Sequence, residues 1–278
     1  MTDKALNCTH GRRTGTRALA ALLGGAGLLA SMAGPAAAHG VAGNRFFPAT
    51  LATDDPFVAD EAAIPTITYG QPSGSPYSQE WDFQGEIFKT IFPNFGIGAA
   101  ETYKVIDTHG AKPAQGWDNL DLTAKYQFYK NDEHEMIFSV GLDASIGGTG
   151  AQQVGADTFN TFTPQFFFGK GMGDLPDSMK WLKPVAITGV LGMDIPDKDH
   201  TTNADGSVDR HAKVFNWGFA IQYSIPYLQS AVEDVGIRAP FDRLIPIVEF
   251  PFSNPVEFIG QGQISGSVNP GVLCAGKQ

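Results

Sequence analysis

Acidic side chains recur in this chain at alternate positions of oily segments. Asp82 and Glu86 stand in WDFQGEI, Asp121 and Lys125 in NLDLTAK, Asp143 in GLDAS and Glu249 in PIVEF. Each occupies the polar slot of an apolar–polar alternation, and a period of two puts such residues on one face of a β-strand. Carboxylates arrayed on the wet face of a closed sheet make charge rings that favour cations in a pore. Asp82, Glu86, Asp121, Lys125 and Asp143 are therefore the expected lumen-lining residues. On a filled polar interior the same acids would instead pair with Lys125 and water.

Other constellations fall short of a chemistry. His134-Glu135 begins like the zinc-protease pattern H-E-x-x-H, but Phe138 stands where the second histidine belongs, and alternation makes the segment a strand. DKDHTTNADGSVD resembles a calcium loop, with Thr201, Asn203, Asp205 and Asp209 as oxygen ligands when aligned on Gly206. Ala212 replaces the required bidentate glutamate, which leaves an acidic solvated loop. His39, if exposed as a new N-terminus, carries an amine and an imidazole that together suit copper. His109, His134, His200 and His211 show no spacing that would complete such a site. No nucleophile elbow or phosphate-binding loop is present. The expectation is no enzyme, no cofactor and no metal centre.

The elements that must position these residues are long strands. From Trp117 to Ile146 the alternation is nearly unbroken. Leu120, Leu122, Ala124, Tyr126 and Phe128 oppose Asn119, Asp121, Thr123, Lys125 and Gln127. After the polar turn KNDE, Met136, Phe138, Val140, Leu142, Ala144 and Ile146 oppose Ser139, Gly141, Asp143 and Ser145. Runs of about ten residues match the span of a tilted transmembrane strand, and one oily and one wet face repeated along hairpins is the pattern of a transmembrane β-barrel. Further strands are expected over 80–91, 95–105, 158–168, 181–193, 214–225, 244–252 and 262–274. Trp81, Trp117, Trp181 and Trp217 are expected in interfacial girdles.

That gives about nine visible strands, whereas bacterial single-chain barrels usually have an even number. With the ending NPGVLCAGKQ, which lacks a terminal aromatic, the count suggests 10–12 strands in a chain truncated at its C-terminus. Residues 39–79, rich in Pro, Asp and small residues, read as an irregular periplasmic segment or one tucked into the barrel mouth. The barrel itself is expected over 80–278.

Bulk properties agree. Residues 1–38 read as a signal peptide: Lys4, Arg12, Arg13 and Arg17 precede a short apolar stretch, and Ala36-Ala37-Ala38 offers a cleavage site. No later segment has eighteen consecutive apolar residues, so helical spans are excluded and only a closed barrel could cross a membrane. The formal net charge is −10, and loss of the basic leader deepens it, which argues against nucleic acid. Cys8 would leave with the leader, so Cys274 is expected to stand alone. The chain has 33 Gly, 20 Phe and 17% charged residues, which fits turns, lipid-facing strands and few ionic surfaces.

At GWDNLDLTAKYQFYKNDEHEMIFSVGLDASIGGTG the chain resembles Gram-negative outer-membrane transporters of the phenol-degradation MetA-pathway type. Those show G-x-x-D-L-x-L-x-x-K-Y, a polar turn, and an apolar strand ending in a Pro-Thr-Gly-like turn. Gly116, Asp118, Leu120, Leu122, Lys125 and Tyr126 occupy the first pattern, with Asn119 breaking the D-L spacing. Gly148-Thr149-Gly150 occupies the second without its proline. The match covers about 35 residues, 116–150. It implies uptake of hydrophobic or aromatic compounds.

The expectation is thus an all-β, antiparallel transmembrane β-barrel of the cell outer membrane. Its partners would be outer-membrane lipid, the barrel-assembly machinery and a small solute that diffuses through the lumen. Two alternatives stay open: a pore-less barrel presenting loops, and a secreted soluble β-barrel or sandwich whose apolar face is its core.

Overall fold

The computed structural model describes residues 40–48, 50, 52–71, 76–202, 206–257 and 262–275. The expected signal peptide and His39 lie outside them. The described residues form an all-β protein whose antiparallel sheet is strongly curled into a half-barrel.

Two short strands, β1 (Gly40–Ala42) and β2 (Arg45–Phe47), make a hairpin of their own. The main sheet follows as a meander. It runs through β3 (Glu61–Gly70), β4 (Ser78–Phe92), β5 (Phe95–Thr108), β6 (Ala114–Trp117), β7 (Leu120–Asn131), β8 (Met136–Ile146), β9 (Thr161–Gly171) and β10 (Val185–Pro196). A small hairpin, β11 (His200–Thr202) and β12 (Val208–Arg210), precedes β13 (Val214–Tyr223), β14 (Leu244–Pro255), β15 (Ser265–Gly266) and β16 (Asn269–Cys274). β6 and β7 line up on β5, and β15 and β16 on β14, so the 12-stranded sheet has ten strand positions.

The strand boundaries correct the sequence reading in three places. Residues 61–70, inside the segment read as irregular, form β3 and pair with β4 from Glu61–Phe88 to Gly70–Glu80, so the sheet begins before residue 80. EAAIPTITYG hides this because Pro65 interrupts its alternation; the strand shifts register between Ala63 and Thr66 to absorb it. Trp181 lies in a helical turn over Asp177–Leu182, and its strand starts only at Val185. Residues 262–274 form two short strands, not one.

Alternation sets the two faces as expected. Trp81, Phe83, Leu122, Tyr126, Phe128, Val140, Leu142, Phe162, Phe166 and Leu191 are exposed on the outside of the curl. Aromatic rings pair across neighbouring strands: Phe138 lies 5.9 Å from Phe166, Phe219 4.7 Å from Phe250, and Trp217 4.2 Å from Phe252 between ring centroids. Such cross-strand aromatic pairs are a main source of sheet stability.

The inner face changes character along its length. Strand ends Gly70, Thr108, Ile146, Pro196 and Pro255 lie at one end, here called upper; Phe92, Asn131, Gly171 and Tyr223 lie at the other, lower end. Descending β8, the inward residues run Ser145, Asp143, Gly141, Ser139, Ile137; descending β9 they run Thr163, Gln165, Phe167, Gly169, Gly171. The upper half is polar and the lower half apolar or small. The lower half is filled by the described residues between 40 and 60: Phe47 and Phe57, 5.3 Å apart, pack with Ala42, Ile137 and Ala186 as the buried core. Among the described residues no helix is long and apolar enough to cross a membrane.

Candidate functional site: a plugged, acidic lumen

Three polar anchors fix residues 40–60 inside the curl. The first is Arg45. Its guanidinium is fully buried, with Nε 3.2 Å from Glu135 Oε2, Nη1 donating to Pro184 O at 2.8 Å and Nη2 donating to Lys183 O. The Tyr227 ring stacks 3.7 Å from its Cζ. Burial pulls Arg45 below its usual pKa while Glu135 and Tyr227 oppose the fall; burial and Glu135 push the Tyr227 hydroxyl up to about 12.

Local chain geometry builds this nest. Glu135 closes the β7–β8 turn at φ +47, which swings its carboxylate inward, and its Oε2 also accepts from Gly173 N at 3.1 Å. A Cβ on Gly173 would run into the Tyr227 hydroxyl and sit 2.5 Å from Glu135 Oε1, so any larger residue there must push the nest's own side chains aside. Ser224 Oγ caps the helical turn at Ile225–Tyr227 by accepting from Tyr227 N at 3.2 Å, and so holds the ring under the guanidinium.

The second anchor is Lys125, on the inner face of β7. Its Nζ lies 2.9 Å from Asp54 Oδ1, donates to Asp55 O at 2.9 Å, and faces the Phe167 ring at 4.6 Å. Beside it, burial raises the Asp55 carboxyl to about 6, against the lowering field of Lys125; Asp55 Oδ1 accepts from Phe57 N at 2.8 Å. Ser139 Oγ donates to Pro56 O on the same level. The third anchor is Glu249 of β14, whose Oε1 accepts from Ala52 N at 3.0 Å, Thr53 N at 3.2 Å and Thr53 Oγ1 at 3.3 Å.

Above the plug the inner face is acidic. Glu86, Ala100, Asp121 and Ser145 form one row across β4, β5, β7 and β8, and Thr68, Asp82 and Lys104 form a row nearer the upper end. Asp143 stands opposite Thr123. Thr163 Oγ1 and Asn216 Nδ2 both donate to Asp194, at 2.8 and 2.7 Å. Lys104 is spent on Asp118 at 2.6 Å and Glu80 at 3.8 Å. Among the described residues, no donor reaches the buried Asp82 Oδ1, Asp143 Oδ1 and Gln165 Oε1.

The five expected lumen residues thus share the inner face, but not one role. Asp82, Glu86, Asp121 and Asp143 line the open upper part. Lys125 is not free to line a pore, because it holds the plug. Arg45, Glu135, Asp54 and Tyr227 were missed. Glu135 reads in sequence as half of a turn-edge polar pair, and only its positive φ turns it inward. The apolar inward slots Ile137 and Phe167 were a legible signal that something packs on that face. His134 points to Asp174 at 3.3 Å. In the calcium-like loop Thr201 pairs with Asp209 across the β11–β12 hairpin, while Asn203 and Asp205 lie outside the described residues. Among the described residues no group of His, Cys, Asp and Glu could hold a metal ion.

β3 and β16, the sheet's free edges, do not pair. Thr68 of β3 and Asn269–Leu273 of β16 nevertheless line one cavity of about 320 Å³, together with Ala52 of the plug and Ile247 and Glu249 of β14.

No protein-family model matches this chain, and no curated protein matches it. The transporter resemblance over 116–150 therefore rests on those residues alone.

Proposed function

We propose that the chain is an outer-membrane β-barrel channel for passive passage of small solutes, closed in this conformation by residues 40–60. The observation that carries this reading is the inversion of the usual soluble pattern. Large apolar side chains, Trp81, Phe83, Ile87, Ile97, Leu122, Phe128, Leu142 and Phe166 among them, cover the outside, while carboxylates and amides line the upper half of the inside. Soluble monomers rarely expose contiguous apolar patches beyond a few hundred Å². In a bilayer the same belt is the favourable surface. A soluble barrel or sandwich would bury those side chains as its core, so their outward exposure supports the membrane reading over that alternative.

The lumen favours cationic or neutral solutes, because its two lysines are paired and its carboxylates exceed them. Uptake of aromatic compounds remains an implication of the resemblance. The buried Arg45–Glu135 pair favours a second reading, a barrel permanently filled by its own chain. Fractionation of expressed protein, with the outer-membrane band run unheated and boiled, tests the membrane assignment. Heat-modifiable migration in that fraction supports it, and a soluble protein without a shift rejects it.

A further inference from the structure

The cavity between the two free sheet edges meets the plug at one of its anchors. It has a volume of about 320 Å³, at the lower end of the range of small-molecule sites. Its lining is mostly apolar, with Ile247 of β14, Pro270 and Val272 of β16 and Ala52 of the plug, and it includes the polar Thr68 of β3 and Asn269 of β16. Glu249 is the charged group among them. It is 6% exposed, and its Oε1 accepts the backbone N–H groups of Ala52 and Thr53.

We propose that this cavity binds a small amine with an apolar body, its ammonium group on the Glu249 carboxylate, and that binding loosens the plug. An apolar slot with one buried carboxylate selects a compact organic cation: the body gains from burial, and the ammonium makes a charge-assisted hydrogen bond that a neutral analogue cannot match. The same carboxylate holds Ala52 and Thr53, so an ammonium competes with those two N–H donors. The solute that enters the seam thereby weakens the anchor nearest to it. The inference deepens the channel reading and rests on it only for its consequence, since binding itself requires no conduction.

The test uses the full chain in detergent micelles at neutral pH, with benzylamine as probe and benzyl alcohol as its uncharged counterpart. Calorimetry should show benzylamine binding more tightly than benzyl alcohol, with Glu249→Gln erasing that preference by about 10- to 100-fold. Thr68→Phe, which fills the cavity from the opposite edge and leaves the Glu249 bonds in place, should abolish binding of both. It decides the matter if Glu249→Gln fails to fold. Hydrogen exchange of residues 52–57 should accelerate with benzylamine and not with benzyl alcohol. Equal binding of the two probes, or binding that survives Thr68→Phe, overturns the site. Binding without faster exchange overturns the coupling. A protein that binds benzylamine as described and conducts nothing would keep the site and reject the channel.

Discussion

Lys125 Nζ lies 2.9 Å from Asp54 Oδ1 and so ties a central strand of the sheet to the apex of the segment that fills it. The lysine is nearly buried, whereas the aspartate is 43% exposed, so the pair sits at the boundary between the packed lower half and the polar upper half of the inner face.

Loss of this tie should loosen the plug before it unfolds the sheet. Asp54→Asn leaves Lys125 with the Asp55 carbonyl and should cost about 1 to 2 kcal/mol, less than a fully buried pair because Asp54 is partly screened. The check is a denaturant midpoint, together with proteolysis inside residues 48–57, which should accelerate out of proportion to the global loss.

The Arg45–Glu135 anchor is different, because both partners are buried. Glu135→Gln should cost about 3 to 5 kcal/mol, the range for breaking a buried ion pair and leaving one charge behind. Gly173→Ala should damage the same nest by steric conflict with the Glu135 carboxylate. Thermal unfolding of both variants in micelles checks this, with parallel losses expected and no additivity in the double variant.

Asp55 gives a pH dependence with a definite sign. Its folded-state value of about 6 lies above the ordinary 3.8. Between those values the folded chain binds more protons than the unfolded one, so this group's contribution to stability declines as pH rises through about 4 to 6. Above that window the full cost of a buried carboxylate is in place. Asp55→Asn should therefore stabilise the protein at pH 7 and change little below pH 4. Stability curves measured at both pH values decide it; a variant less stable at pH 7 contradicts the assignment.

Much of this architecture is legible in the sequence. The alternation in 117–146 gives two strands, their hairpin and the correct outward face, and Phe215–Trp217–Phe219–Ile221 does the same for β13. Strand period alone assigns Asp82, Glu86, Asp121 and Asp143 to one face. What alternation could not show is contact between distant segments. Arg45 and Asp54 lie in a Pro- and Asp-rich stretch without period, and their partners are 90 and 71 residues away. β3 was lost to a proline within it. Lys125 was read on the correct face, but its occupation by Asp54 depends on where the irregular segment goes.

The acidic upper lumen should make any current cation-selective. In a salt gradient, the wild-type reversal potential should favour the cation, and Asp121→Asn with Asp143→Asn should reduce that preference. An anion-selective wild type would contradict the assignment of these residues to the conducting path.

The outward face should tolerate apolar exchange and resist charge. Leu142→Arg, in the exposed row of β8, should cost about 2 to 4 kcal/mol for folding into lipid vesicles if that position lies near the bilayer midplane. The Leu142→Met variant should fold like wild type. Urea titrations in vesicles compare the two.

In the proposed channel, residues 40–60 would close the lumen. The most direct measurement is single-channel recording in planar bilayers of the wild type beside the Arg45→Ala/Asp54→Asn double variant, both with heat-modifiable migration as proof of folding. Rare, brief openings are expected for the wild type, and openings at least tenfold more frequent, with cation preference, for the unlatched variant. Two folded proteins that are equally silent would contradict it and would make this a barrel filled by its own chain.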